Sequence, residues 1–217
     1  MINTQILQEK GLCIDLHYLP TLEYFCLLQA AGKVWIPTDD QFAKRSYRNR
    51  SIILGANNLI TLSIPVHGAN KGLSMDRMRI DHSQPWQKSH WRSIMSAYGK
   101  TPFFEYYAPE FEALYKQEVA LLTEFSAALL ALCCSHCLPD LTILHAPLAE
   151  IDTESGLIDM RNRLMPSKPW QDRVIYSPAR YVQPFGDSFV PNLSILDLLF
   201  NEGPNSAVLL QQSSRLN

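Results

Sequence analysis

Between residues 12 and 37 the hydrophobic period changes twice, and this restricts the possible fold more than anything else in the chain. Leu12 to Leu16 form a short apolar run suited to a buried strand. Pro20 and Thr21 then open a helix whose apolar positions Leu22, Phe25, Leu28 and Ala31 recur at helical spacing, and Gly32 ends it. Val34, Trp35 and Ile36 make the next strand, closed by Pro37. Strand, helix and strand in so short a stretch predict an α/β fold.

The rest of the chain extends that pattern. Ser51 to Leu54 and Ile60 to Ile64 flank Asn57-Asn58, and the second run alternates apolar and polar, which predicts a hairpin with one solvated face. Pro85 opens a helix over 86–98, with Trp86, His90, Ile94 and Tyr98 along one stripe. A long helix is expected from Pro109 to Cys134, and a strand over Leu141 to Leu144. Residues 146–186 give no clear period. Asn192 is expected to cap a last helix that buries Leu193, Leu196, Leu199 and Phe200 and stops at Gly203-Pro204. A chain of 217 residues suits one core and is too short for two full enzyme domains. The expected architecture is a single α/β domain over 1–204, with a mixed sheet that includes the hairpin and with flanking helices, one of them long. Residues 205–217 are expected to form a flexible tail.

Charge is unevenly distributed. Residues 33–100 carry eleven Lys and Arg against four acids, whereas residues 101–160 carry one Lys against ten acids. An anionic ligand is therefore expected on the positive third. A net charge of −2 and the lack of a known nucleic-acid module argue against a nucleic-acid partner. The N-terminal residues lack an apolar leader, and the longest apolar stretch, Val119 to Cys134, is too short and too interrupted to span a bilayer, so a cytoplasmic location is expected. Five cysteines then read as reduced thiols. Cys134-Ser135-His136-Cys137 lacks the second ligand pair that zinc needs, so no metal is expected, and no cofactor is indicated.

The densest chemistry lies in Arg45-Ser46-Tyr47-Arg48-Asn49-Arg50. Guanidinium forks bind phosphate or carboxylate, and an Arg-x-Arg spacing on an extended segment turns two forks to one side. The alternative is a solvated polar strand. Asp39 and Asp40 follow a strand end, where carboxylates meet ligand hydroxyls, or they pair with the nearby arginines. His17 lies between a strand and a helix N-terminus, and Tyr18 either contacts ligand or packs that turn. Trp86, His90 and Trp91 are either an aromatic sugar-binding face with a titratable imidazole or part of the core. Asp197 and Asn201, four apart among leucines, either line a site or bond within the helix layer. No serine-hydrolase or phosphate-loop signature is present.

Several blocks together resemble the WbqC-like protein family: His17-Tyr18-Leu19-Pro20 with Glu23-Tyr24-Phe25, Lys44 to Arg50, Leu62 to Val66, Gln84-Pro85-Trp86 through His90-Trp91, and Asn192 to Asn201. The resemblance spans about residues 12 to 204. It implies bacterial surface-polysaccharide biosynthesis of the O-antigen type. The chain departs from the family at Asp15-Leu16, where many members carry Gln-Pro, and in a short second half in which Tyr176 to Tyr181 is a remnant. The expected function is an enzyme that transfers an acyl, aminoacyl or nucleotidyl group to a sugar or sugar nucleotide. The expected catalytic residues are His17, His90 and Asp40. Tyr18, Tyr24, Arg45, Tyr47, Arg48, Asn49, Arg50, Trp86 and Trp91 are expected to contact substrate, an anionic small molecule such as a sugar nucleotide or acyl donor. The alternative is a non-catalytic binding or assembly protein of the same pathway.

Overall fold

The computed structural model describes residues 2–151 and 156–216. Four strands run parallel in the order β5-β2-β1-β6, where β1 is Leu12–Cys13, β2 Lys33–Pro37, β5 Thr142–Ala146 and β6 Ile158–Asp159. Leu12 pairs with Val34 on one side and with Ile158 on the other, so β1 lies inside the sheet. The strand is shorter than its apolar run because the chain turns out of the sheet after the Ile14 amide bonds to the Trp35 carbonyl. Helix α2 (Leu22–Ala31) connects β1 to β2 and buries almost every side chain. It packs against the sheet and against α1 (Thr4–Lys10), α7 (Ile195–Glu202) and α8 (Ser206–Ser213), which leaves it little solvated face.

The hairpin is present, with β3 (Arg50–Leu54) antiparallel to β4 (Leu59–Ser63), but it forms a sheet of its own. The parallel and antiparallel parts of this α/β fold are thus separate. Helix α3 covers Trp86–Tyr98 as its stripe predicts. The long helix is α5, Leu122–Cys137, and does not begin at Pro109; a separate helix α4, Phe104–Tyr115, contains that proline. Tertiary pairing explains the break. The Ile80 amide bonds to the Ala120 carbonyl and the Leu122 amide to the Met78 carbonyl, so residues around 120 lie beside 78–80 instead of continuing a helix.

Two further expectations are corrected. The stretch after Gly203 is not a flexible tail: α8 places Leu209 and Leu210 in the core against α2, and the Leu216 carbonyl accepts from the Thr4 amide. Asn192 does not cap α7. Ser194 does, accepting from the Leu196 amide at 3.4 Å, while the Asn192 Oδ1 accepts from the Glu23 amide in the first turn of α2. The stretch 146–186, silent by period, supplies α6 (Leu148–Ile151), β6 and the buried side chains Met160, Leu164, Ile175 and Tyr176.

Candidate functional site

In a parallel sheet all strands end on the same side, so residues just past β1, β2 and β6 meet. The chain leaves β1 toward β2 through α2, and β6 lies on the other side of β1, which puts a switch in strand order at this end of the sheet. The candidate site forms there, from Asp15 and His17 after β1, Asp40 after β2, and Asn162 after β6.

Asp15 is the centre. Its Oδ2 accepts from His17 Nε2 at 2.9 Å and lies 3.0 Å from Arg48 Nη1, and its Oδ1 accepts from the Asn162 amide at 2.9 Å. Arg48 Nη2 donates to Asp40 Oδ2 at 2.5 Å, so one guanidinium bridges two carboxylates. Asp15, His17 and Arg48 are all buried. Burial alone would raise the Asp15 carboxyl, but His17, Arg48 and the Asn162 amide overcome it and hold the group at about 2. An ionised carboxylate only accepts, so His17 carries a proton on Nε2. Its Nδ1 has no hydrogen-bond partner among the described residues.

The surroundings fix the ring. His17 lies 4.8 Å from the Tyr24 ring and 5.5 Å from the Tyr47 ring, centroid to centroid. Tyr24 also donates its hydroxyl to the Asp15 carbonyl at 3.1 Å, and burial pushes its own phenol well up. Leu19 holds a left-handed backbone (φ 44°) immediately before a proline, a strained arrangement. The Ser51 and Ser194 hydroxyls, both donating to the Leu19 carbonyl, pin it in place. The turn that presents His17 is therefore held from β3 and from the start of α7.

Of the expected residues, Tyr24 and Tyr47 pack on the His17 ring, and Arg48 and Asp40 connect to it through Asp15. The arginine run is not a grip, because residues 44–49 form turns instead of an extended segment. Arg45 sits exposed at φ 55°, Arg48 is engaged by the two aspartates, and Arg50 begins β3 opposite Ser63. Asn49 closes the hairpin by donating Nδ2 to the Ile64 carbonyl. Asp39 accepts from the Leu148 amide and so caps α6.

A second group of expected residues lies in the core instead. The Tyr18 hydroxyl meets His90 Nδ1 at 2.9 Å and the Tyr115 hydroxyl, within an aromatic cluster that includes Trp86 and Phe125. Trp91 packs on Phe104 and Tyr115. Burial lowers His90 to about 4 despite a hydrogen bond to the Ser63 backbone, so its imidazole is neutral at physiological pH and serves packing. These indoles offer no sugar-stacking face. Asp197 is likewise internal, accepting from Tyr181 and Gln183, and Asn201 donates to the Asp197 carbonyl.

Asp15 was missed by sequence reasoning, although it lies two residues before His17 on a strand exit, where alternate side chains share a face. Glu23 and Arg173 were missed as well. Their side chains form a double hydrogen bond, 2.6 Å each, and Arg173 Nη1 donates to the Arg163 and Lys168 carbonyls, which ties the loop after β6 to α2. Among the described residues no group of three His, Cys, Asp or Glu could hold a metal ion, and the Arg48 fork lies between the two carboxylates.

The WbqC-like protein family model matches residues 16–146 and 170–208, more than half of the chain. The chain belongs to the WbqC-like protein family. It is also 26% identical to the uncharacterised protein Rv1507c of Mycobacterium tuberculosis (strain ATCC 25618 / H37Rv) over 221 residues, 90% of this chain and 94% of that protein. No solved structure matches it. His17, Asp40 and Arg48 lie within the WbqC-like match, whereas Asp15 and Asn162 lie outside it. Among the described residues no helix is long and apolar enough to cross a membrane.

Proposed function

We propose that this WbqC-like protein is a cytoplasmic enzyme of bacterial surface-polysaccharide biosynthesis that transfers an acyl, aminoacyl or nucleotidyl group to a sugar or sugar nucleotide. One observation carries the catalytic part. His17 Nε2 is held by an ionised carboxylate while Nδ1 has no hydrogen-bond partner among the described residues. An aspartate in that position fixes the tautomer and stabilises the imidazolium that forms when the ring takes a proton.

In the reaction the acceptor hydroxyl or amine gives its proton to His17 Nδ1 as its oxygen or nitrogen bonds to the donor's carbonyl carbon or phosphorus. The bond from that atom to the leaving group then breaks, and the proton passes from His17 to the leaving group. Asp15 remains ionised throughout. Arg48 balances Asp15 and Asp40, and Tyr24 and Tyr47 flank the imidazole. Tyr47 and Asp40 are the half-buried members of this shell.

The complete burial of His17 and Arg48 favours a second reading, a non-catalytic binding or assembly protein of the same pathway. The two separate in one experiment. Wild type and His17→Ala are incubated with sugar nucleotides and with acyl, aminoacyl or nucleotidyl donors, and products are followed by mass spectrometry. Turnover by wild type that falls at least a hundredfold in a folded His17→Ala variant supports the enzyme. Ligand-induced thermal stabilisation with no turnover in either protein supports the binding protein.

A further inference from the structure

Against the segment that follows β6 lies a recess of about 750 Å³, a size that suits a small-molecule ligand. Its walls come from three distant parts of the chain: the N-terminal residues Ile2 and Asn3, residues 160–175, and Arg215 near the C-terminus. Met160 and Ile175 give it an apolar floor, and Val174 adds a side chain that is 63% exposed. Four cations line it.

Three of the four make no ion pair with an acidic side chain among the described residues, whereas Arg173 does. Arg48 is held by Asp15 and Asp40, Arg161 by Asp159, and Arg173 by Glu23. Arg163 and Arg215, by contrast, make no side-chain hydrogen bond or ion pair among the described residues, although Arg163 lies near enough to Asp159 to help lower that carboxyl. Lys168 reaches only the Asn162 carbonyl, at 3.1 Å. Asp172 is the single acid on the walls. Three unpaired cations therefore share these walls with one acid, over a concave apolar surface.

The recess is also firmly built. Arg173 clamps the carbonyls of Arg163 and Lys168 while forking onto Glu23, and the Asn162 amide caps Asp15. The Arg215 amide bonds to the Ile175 carbonyl, which fixes the C-terminal wall. Of the wall residues only Asp172, Arg173, Val174 and Ile175 fall within the segments that the family model matches, so this recess belongs to the part of the chain outside the shared family pattern.

We propose that the groove binds an organic phosphate, with Arg163, Lys168 and Arg215 on the phosphate and an apolar body along Met160, Val174 and Ile175. A tetrahedral dianion suits several converging cations, and guanidinium forks bind its oxygens in pairs. This deepens the function proposed above, and rests on it, in taking the bound phosphate to be part of the substrate used at His17. The phosphate comes either from a nucleotide or from a lipid carrier.

The test is calorimetric titration of the whole protein with uridine diphosphate, n-decyl phosphate, inorganic phosphate and decanoate. Uridine diphosphate or n-decyl phosphate should bind, more tightly than inorganic phosphate or decanoate, and which of the two binds better identifies the source. In Arg163→Glu/Arg215→Glu the affinity should fall by about a hundredfold, roughly tenfold for each lost charge-assisted pair, with Tm within about 4 °C of wild type because neither side chain makes a hydrogen bond or ion pair among the described residues. Arg163→Lys should keep most of the binding. His17→Ala should bind like wild type, so a failed groove and a failed catalytic histidine give different results. The proposal is overturned if wild type binds neither organic phosphate, if decanoate binds equally well, or if the double variant binds as wild type does.

Discussion

Arg48→Met tests whether the buried charge cluster is held as described. The guanidinium is fully buried between Asp15 and Asp40, at 3.0 Å and 2.5 Å, and methionine fills much of its volume without the charge. Removing one partner of a buried ion pair leaves uncompensated charge, at roughly 3–5 kcal/mol. For a chain of this size each kcal/mol moves Tm by about 2–4 °C, so the variant should melt on the order of 10 °C lower at pH 7. The pH dependence is the sharper readout. In wild type the Asp15 carboxyl is depressed from 3.8 to about 2, so its stabilisation, ~2.5 kcal/mol, is present above pH 3.8 and lost as pH falls toward 2. In the variant the burial that favours the neutral acid is opposed by less positive charge. The folded carboxyl then rises toward its ordinary value, so the variant loses less stability than wild type as pH falls from 4 to 2. Calorimetric scans of both proteins from pH 2 to 7 measure this. A Tm loss below about 2 °C, or a pH slope parallel to wild type, would refute the assignment of Arg48 as a charge that helps keep the buried Asp15 ionised.

Other outcomes follow from the same structure. His90 is lowered from 6.5 to about 4, so the unfolded chain binds a proton that the folded one refuses, and stability should fall by ~3 kcal/mol as pH drops from 6.5 to 4. His90→Gln should remove that slope in acid denaturation curves, while an unchanged slope would place the titration elsewhere. Glu23→Gln breaks the paired hydrogen bonds to Arg173 and should cost roughly 3 kcal/mol. It should also speed amide exchange over residues 159–173, and protection equal to wild type there would mean that the loop is held by other contacts. Burial pushes the Cys26 and Cys134 thiols up to about 12, so both should resist DTNB at pH 8 until the protein is denatured. Rapid labelling of either in the native state would contradict their packing.

How much of this could be read from the sequence depends on which interactions are local. The strand–helix–strand start, the hairpin and α3 follow from periods of two and 3.6 within single segments. The break between α4 and α5 does not, because pairing of residues around 120 with 78–80 overrides a pattern compatible with helix. Helix α8 was missed for a related reason. Leu209 and Leu210 are ordinary apolar residues in a short polar stretch until α2 supplies a surface for them.

The site shows the same division more sharply. Exposed and buried arginines look alike in a sequence, so three arginines in six residues suggest a shared ligand, yet Arg48 is fully buried and its partners are internal. A buried arginine requires acids, and the two that serve it are separated by 25 positions of sequence. What joins them is parallel strand order. Once β1, β2 and β6 are known to run side by side in one direction, the residues just beyond their ends must converge, and Asp15, Asp40 and Asn162 are those residues. Asp15 then carries the argument for function as well as for fold. The chain departs from the resemblance at that residue, which lies just before the matched segment, and it orients an imidazole whose Nδ1 has no partner among the described residues. If Asp15→Asn leaves turnover intact, orientation by the carboxylate is unnecessary and the departure is structural. If turnover falls at least about tenfold while Tm moves only a few degrees, Asp15 belongs to the chemistry.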